Sequence, residues 1–266
     1  MIVVQRRHKI KERLFQNRSV KVSELVKEFN VSEETIRRDL NQLVKEGLIQ
    51  KNYGGAVLIE DIESVSIPPV QQRTLQDFEE KNAIGKRAAE LLSPHQIIIM
   101  DSGSTTWCMA RHLKHISDLT VLTNGLNVAE ECSHNEEASI FLLGGKLIKK
   151  SMSVVGPQVE TELQRYNAHY VFLGTSGISL RKGFTSSDIY EAEIKRAMIR
   201  AGQRAVILAD HRKFQRQALV SFSSFQEVDI VITSDLTDPD MIKELEGMGV
   251  EVIVVPVKHE QGGAAE

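Results

Sequence analysis

Three short turns carry the polar residues of this chain that could hold a ligand together. Asp101-Ser102-Gly103-Ser104-Thr105-Thr106 follows the apolar run at 97–100, Thr123-Asn124-Gly125 ends a second β-prone run, and Gly144-Gly145-Lys146 follows a third. Gly103 lets backbone approach a ligand closely, Ser104 to Thr106 offer hydroxyls and N–H groups where a helix starts, and the helix dipole there favours negative charge. An anion is the chemistry these groups share, and a phosphate, with about 1.5–2 negative charges near neutral pH, is the obvious candidate. Each turn taken singly also serves as a helix cap or a plain connection; three together point to a ligand. Neither G-x-x-x-x-G-K-[ST] nor G-x-G-x-x-G occurs in the chain, which disfavours nucleoside triphosphates and dinucleotides. His112 and His115 share a helical spacing without a third ligand signalled, so no metal is expected, and no cofactor.

The elements that must position these turns alternate in type. Helical patterns at 79–92, 105–113, 127–134, 189–201 and 239–248 interleave with strand patterns at 96–100, 119–123, 139–143, 170–173, 204–209, 229–233 and 250–255. Such alternation predicts an α/β domain around an open, mostly parallel sheet, whose ligands bind beyond the carboxyl ends of the strands. Before it, residues 60–76 lose periodicity, carry Pro68-Pro69 and gather acids, a linker composition.

The amino-terminal segment is different in kind. Residues 1–58 hold 12 Lys+Arg and 7 Asp+Glu, a net of +5, so the overall −3 leaves −8 for the remainder. A basic module on an acidic body suggests contact with nucleic acid. Ile10 and Leu14, then Val22, Leu25, Val26 and Phe29, space out two short helices. After the break at Asn30-Val31, Ser32 is placed to cap a third helix, with Glu33 and Glu34 at its positive end. Ile36, Leu40, Leu43 and Val44 form that helix's inward stripe, Gly47 is placed to end it, and Thr35, Arg37 and Arg38 lie off the stripe. Helix, turn, helix with polar residues in the first turns of the second is the arrangement that puts a recognition helix in a major groove. Gly54-Gly55 then separates two β-prone runs that read as a hairpin or wing.

The stretch "VSEETIRRDLNQLVKEGLIQKNYGGAVL", Val31 to Leu58, closely resembles the amino-terminal signature of the DeoR family of bacterial transcription regulators. The resemblance implies a winged helix-turn-helix bound to operator DNA, with Ser32, Thr35, Arg37 and Arg38 on the recognition helix and Lys51 and Tyr53 on the wing. It continues through "DSGSTT", "LTNGLNVA", "LLGGKL", "VVGP", "GTSGIS", "GFTSSDIYEAEIKRAMI" and "LADHRKF", in family order. That half resembles an effector domain similar to the ribose-5-phosphate isomerase fold, whose usual effector is a phosphorylated sugar or a related small metabolite. Carried over by position, the phosphate falls on Gly103, Ser104, Thr105 and Thr106, beside Ser102. Asp101, Asn124, Gly144, Gly145 and Lys146 line the sugar side, with Glu191, Asp210 and Lys213 as further candidates. Many relatives carry an Asp where this chain reads Gly174-Thr175-Ser176-Gly177, so a sugar hydroxyl is met there by Thr175 or Ser176, or the contact is lost.

The expected organisation is a winged helix-turn-helix over 1–59, a linker over 60–77, an α/β effector domain over 78–258 and a disordered tail over 259–266. The expected function is a repressor of a sugar or carbohydrate catabolic operon, relieved by a phosphorylated sugar. A homo-oligomer, dimer or tetramer, presents two heads to two half-sites. The alternative is a sugar-phosphate isomerase-type enzyme fused to a DNA-binding domain, with Asp188, Glu191 and Glu193 available as acid or base. The missing carboxylate at 174–177 counts against it, and Glu191 with Lys195 at i+4 reads as an exposed helix pair. No apolar run approaches the ~20 residues that span a bilayer, the amino terminus lacks the order of a secretory signal, and Cys108 and Cys132 form no disulfide framework. Cytoplasm is the expected compartment.

Overall fold

The computed structural model describes residues 19–45, 49–52, 54–58 and 69–257, together with Val3, Arg6, Arg7, Lys9, Ile10, Arg13 and Leu14. The chain divides into two units, Met1–Val65 and Ser66–Glu266.

In the first unit, β1 (Ser19–Lys21) leads into α1 (Val22–Phe29), which stops at Asn30 in the left-handed region that Asn tolerates (φ 50°). After a two-residue break, α2 runs over Glu33–Lys45. Strands β2 (Ile49–Asn52) and β3 (Gly55–Leu58) pair antiparallel, with Asn52 opposite Gly55. Gly55 is therefore in a strand rather than in the turn expected at Gly54-Gly55. Gly55 lies within β3 opposite Lys21 of β1, a strand the helical spacing did not reveal, and the sheet order is β1-β3-β2.

Ile10, Leu14, Leu25, Ile36, Leu40 and Leu43 close the core of this unit. Val44 does not join it, being 36% exposed, and the inward place goes to Asp39, only 2% exposed. Asp39 sits at i+3 from Ile36 and so shares its face. Its carboxylate accepts from Arg6 Nε at 2.6 Å and from Arg7 Nε at 2.9 Å, tying the amino-terminal helical residues to α2. Gly47, expected to end α2, and Tyr53 lie outside the described residues, as do 60–68 of the expected linker and the expected tail over 259–266.

In the second unit, α3 (Val70–Leu75) and α4 (Phe78–Ala89) precede β4 (Ile97–Met100), α5 (Ser104–Ala110), β5 (Thr120–Thr123), α6 (Leu126–Cys132) and β6 (Ser139–Leu142). A hairpin, β7 (Lys146–Ile148) and β8 (Ser153–Val155), leads to α7 (Pro157–Leu163) and β9 (Ala168–Gly174). Then come β10 (Gly177–Ser179), β11 (Gly183–Ser186), α8 (Ile189–Arg200), β12 (Gly202–Leu208), β13 (Val220–Ser223), β14 (Ile230–Ser234), α9 (Pro239–Gly247) and β15 (Glu251–Val255). The main sheet has seven strands in the order β15-β14-β12-β9-β4-β5-β6, every pairing parallel. β10, β11 and β13 form a small antiparallel sheet beside it.

The central strands are runs of Ile, Val, Leu and Phe because helices cover both faces. Ile98, Met100, Val121, Phe172, Val206, Leu208, Ile230 and Ile232 pack with Ile84, Met109 and Val128 of the helices into one core. At about 1.5–3 kcal/mol for each large side chain buried, that core dominates the stability of the unit. Val70 is buried too, and its N–H donates to Lys150 O at 2.9 Å. Residues 70–75, expected as linker, are thus helix built into the second unit, with Pro69 at the cap position that proline's fixed φ suits.

We expect Asp39→Ala to cost the first unit about 3 kcal/mol, because Arg6 is left buried without that carboxylate. Arg38→Ala, an exposed change, should move the same thermal transition of the full-length protein by under about 0.5 kcal/mol.

Candidate functional site

The order of the main sheet reverses between β4 and β9: strands β5 and β6 are added on one side, β12, β14 and β15 on the other. A parallel sheet opens a crevice at such a point, beyond the strand ends. There the loop after β4 and the loop after β9 line an open cleft. Its walls are Asp101, Ser102, Gly103, Ser104 and Thr105 on one side, Gly174, Thr175 and Ser176 on the other, and Arg73, Glu191, Lys195 and Lys213 between.

Asp101 holds the two loops together. One carboxylate oxygen accepts from Gly174 N (2.9 Å) and from the Lys195 ammonium, and the other accepts from Gly103 N (2.9 Å) and Thr106 Oγ1 (2.7 Å). Lys195 also donates to Gly174 O at 2.7 Å. Both charges are buried, and every partner is a donor or acceptor of the right sense, the condition under which a buried ion pair survives its desolvation.

Two cations remain toward the open side, and α4 positions both through adjacent residues. Lys81 Nζ donates to Arg73 O (2.6 Å) and to Gln76 O, closing the carbonyl end of α3 and fixing where Arg73 leaves the chain. Glu80 accepts from His211 N (2.8 Å) and Ser234 Oγ (2.6 Å) and lies 2.9 Å from His211 Nδ1. That grip fixes the 3-10 turn His211–Lys213, which Arg212 also ties to Asp77 at 2.7 Å. Lys213 faces Asp210 at 3.7 Å, a loose pairing. Glu191 accepts from Ser153 Oγ at 2.9 Å.

In the first unit, Ser32 Oγ accepts from Thr35 N (3.3 Å) and lies 2.8 Å from Thr35 Oγ1, so Ser32 caps α2. Arg37 pairs with Glu33 at 2.5 Å and Arg38 with Glu34 at 3.3 Å, both exposed and one turn apart. Such pairs are worth about 0.3–0.5 kcal/mol and yield readily to a phosphate. Lys51 is exposed on β2.

Comparison with known proteins agrees with this division. The DeoR-like helix-turn-helix domain matches residues 6–61, and the DeoR C terminal sensor domain matches residues 76–235. The chain belongs to the DeoR family. It is 37% identical to the HTH-type transcriptional regulator YulB of Bacillus subtilis over 97% of this chain and 98% of that one. With the regulator IolR of the same organism it shares 32% identity over 87% and 91%, and with the glycerol-3-phosphate regulon repressor of Escherichia coli 34% over 86% and 90%. Ribose 5 phosphate isomerase A from Neisseria gonorrhoeae aligns over 50% of this chain and 52% of its own at 13% identity and a TM-score of 0.38. Among the described residues no helix is long and apolar enough to cross a membrane.

Within this DeoR-family sensor domain the expected ligand residues divide. Ser102 to Thr105, Thr175, Glu191 and Lys213 do line the cleft. Asp101 also borders it, yet its oxygens are committed to the clamp rather than free for a sugar. Thr106 is fully buried with its hydroxyl turned to Asp101, so it does not offer that hydroxyl to a phosphate. A Cβ on Gly103 would stand 2.9 Å from Asp101 Oδ1 and 3.0 Å from Thr106 Oγ1, so the glycine makes room for the clamp. The Thr175 hydroxyl donates into the small sheet, at 2.9 Å from Gly177 O and 3.0 Å from Thr185 O.

Asn124, Gly144, Gly145 and Lys146 are not in the cleft wall. Asn124 bonds Val154 through both its side chain (3.0 Å) and its carbonyl (2.6 Å), joining β5 to the hairpin. Gly145 passes close to β8, where a Cβ would meet Val155 O at 2.7 Å. The Lys146 ammonium lies over the Tyr190 ring at 5.9 Å. Asp210 is buried and caps the turn that carries Lys213. Sequence reasoning missed Arg73 and Lys195. Lys195 is not in an exposed pair with Glu191: it lies three residues from both Ala192 and Met198 on the buried face of α8, and that spacing was the available signal.

Burial pushes the Asp188 carboxyl above its ordinary value, and nearby Glu191 adds to the push. Burial drives the thiols of Cys108 and Cys132 up to about 12, leaving no thiolate near neutral pH. His112 is held below its usual value, first by burial and then by Arg111 and Lys86, and its Nε2 lies 2.9 Å from Asn82 Oδ1.

Three outcomes are expected. Asp101→Asn should lower the stability of the second unit by about 3 kcal/mol, and Gly103→Ala by about 1–3 kcal/mol through crowding, both seen in melts without ligand. An acid whose folded value is raised binds its proton more tightly in the fold, so its contribution is lost as pH rises. Asp188→Asn keeps the acceptor that caps α8 through Tyr190 N and Glu191 N, and should gain stability relative to the parent as pH rises from 4 to 7 in a series of urea midpoints.

Proposed function

We propose that this DeoR-family regulator represses a sugar or carbohydrate catabolic operon and releases its operator when a phosphorylated sugar enters the cleft between β4 and β9. One observation carries the reading. The cleft wall holds three cations, Arg73, Lys195 and Lys213, against two carboxylates: Lys195 is paired with Asp101, Lys213 is only loosely paired at 3.7 Å with Asp210 behind it, and Glu191 accepts from Ser153. The surplus charge and the Ser104-Thr105 edge, whose first-turn N–H groups have no carbonyl within the helix to bond, suit a phosphate. Ser102 and Ser176 are then groups left to meet sugar hydroxyls.

An isomerase needs a base free to move a proton. Asp101 is fixed by four donors and Glu191 accepts from Ser153, which favours sensing over turnover, and the names of the relatives favour it too. The head supports operator binding through Thr35, Arg37, Arg38 and Lys51, with Tyr53 as a further wing residue; a homo-oligomer in the cytoplasm places two heads on two half-sites.

Titrating the wild-type operator complex with inorganic phosphate, glycerol 3-phosphate, hexose 6-phosphates and the corresponding free sugars tests the reading. Release by a phosphorylated member and not by its free sugar is the expected result; release by none, or equally by the free sugar, overturns it. Lys213→Gln should weaken binding of that member by about tenfold in calorimetry. Arg37→Ala or Arg38→Ala should weaken operator binding by about 1–3 kcal/mol where a base contact is lost, at matched salt.

A further inference from the structure

We propose that Arg73 is the residue that couples the occupied cleft to the DNA-binding unit: its guanidinium closes on the bound anion and thereby fixes α3, the first helix after the junction between the units. The inference rests on reading the cleft as a phosphorylated-ligand site.

Three observations converge on it. Arg73 lines the same cleft as Ser104, Thr105 and Lys213, and its Nε is buried with no hydrogen-bond partner among the described residues. Burial disfavours its charge more than Glu191 and Asp101 favour it, and those two carboxylates are engaged elsewhere. A planar donor fork held in a partly dry cleft without an acceptor is completed by an oxyanion, which it can take in bidentate fashion.

The second observation is mechanical. At six residues, α3 is too short to persist on its own helical propensity and depends on what holds it. Val70 N on Lys150 O and Lys81 Nζ on the carbonyls of Arg73 and Gln76 are backbone anchors. Of the side chains of α3, Val70 is already buried and Arg73 is the one that lines the cleft, so Arg73 is the one placed to add an anchor when a ligand arrives. The third is connectivity. The first unit ends at Val65 and α3 begins at Val70, so whatever fixes α3 also fixes where the connecting segment ends.

Lys213 offers the contrast. Its turn is gripped by Glu80, Asp77 and Asp210 from within the second unit, so its contact adds affinity without bearing on the junction. A ligand shifts a two-state protein only through contacts that differ between the states, and Arg73 is placed to make such a contact.

The test uses full-length protein, an operator selected by the wild type from random duplexes, and the same panel of inorganic phosphate, glycerol 3-phosphate and hexose 6-phosphates. Each variant is compared with its own ligand-free operator complex. Wild type should lose operator affinity by roughly 5–150-fold at saturating ligand and show slowed amide exchange over 70–76. Lys213→Gln should bind the active ligand about tenfold more weakly yet release operator fully at saturation. Arg73→Gln should bind it about tenfold more weakly, show no slowed exchange over 70–76, and keep its operator at saturation; Arg73→Lys, with the charge but not the fork, should fall between. Should the glutamine variant melt early, the lysine variant carries the comparison. Arg73→Gln binding like wild type, or releasing fully once saturated as Lys213→Gln does, overturns the inference while the sugar-phosphate reading stands. Wild type that binds no member of the panel overturns both.

Discussion

The buried pair of Asp101 and Lys195 is the constraint on which the sensor unit depends. Bringing a carboxylate and an ammonium out of water costs several kcal/mol each, and their attraction offsets this only where the remaining lone pairs and protons are also used. Here they are used on the backbone of both loops at the switch point: Gly103 N and Gly174 N donate to Asp101, and Lys195 donates to Gly174 O. The pair therefore sets the width of the crevice as well as its charge. It also dictates Gly103, since any Cβ would press on Asp101 Oδ1. The same neutralisation removes Asp101 from the charge balance of the cleft and leaves Arg73, Lys213 and Glu191 to set it.

Those two cations come from parts of the chain about 140 residues apart, and a single helix turn brings them to one cleft. Glu80 and Lys81 are neighbours on α4, so their side chains leave the helix about 100° apart. One reaches the 3-10 turn before Lys213 and the strand end at Ser234; the other reaches the carbonyls that close α3. Burial lowers the tendency of Lys81 to keep its proton, and Asp210 works against that. A buried lysine bonded to carbonyls rather than paired with a carboxylate is costly to keep, and that cost is understandable where it fixes the backbone from which Arg73 projects.

How much of this was legible follows from what spacing can encode. Strand and helix order in the second unit is carried by apolar periodicity, and the parallel sheet and the position of the cleft follow from it. The recognition helix is equally plain, because Ile36, Leu40 and Leu43 repeat on one face and leave Arg37 and Arg38 off it. Hidden from spacing is the direction in which a polar side chain turns when both options are polar. Thr106, Asn124 and Thr175 look like ligand groups in their motifs, yet each spends its donor on the protein's own loops. Lys195 shows the reverse: four residues after Glu191 it reads as half of a surface pair, and only a carboxylate 94 residues earlier in the chain makes its burial possible. Arg73 was lost in a segment whose prolines read as a linker, although Val70 and Arg73 share a face at i and i+3.

The two units use ion pairs in opposite ways, and the difference matches their tasks. In the sensor, Asp101 and Lys195 are buried, have several partners each and are costly to break, which suits a cleft that must keep its shape whether or not a ligand is present. On α2, Glu33 and Glu34 hold Arg37 and Arg38 in single exposed pairs that salt screens and that contribute little stability. An arginine so held in an exposed pair remains available to a stronger acceptor. Asp39, one residue on, makes the point within a single motif: turned inward to Arg6 and Arg7, it anchors the helix whose outward arginines are left free to exchange partners.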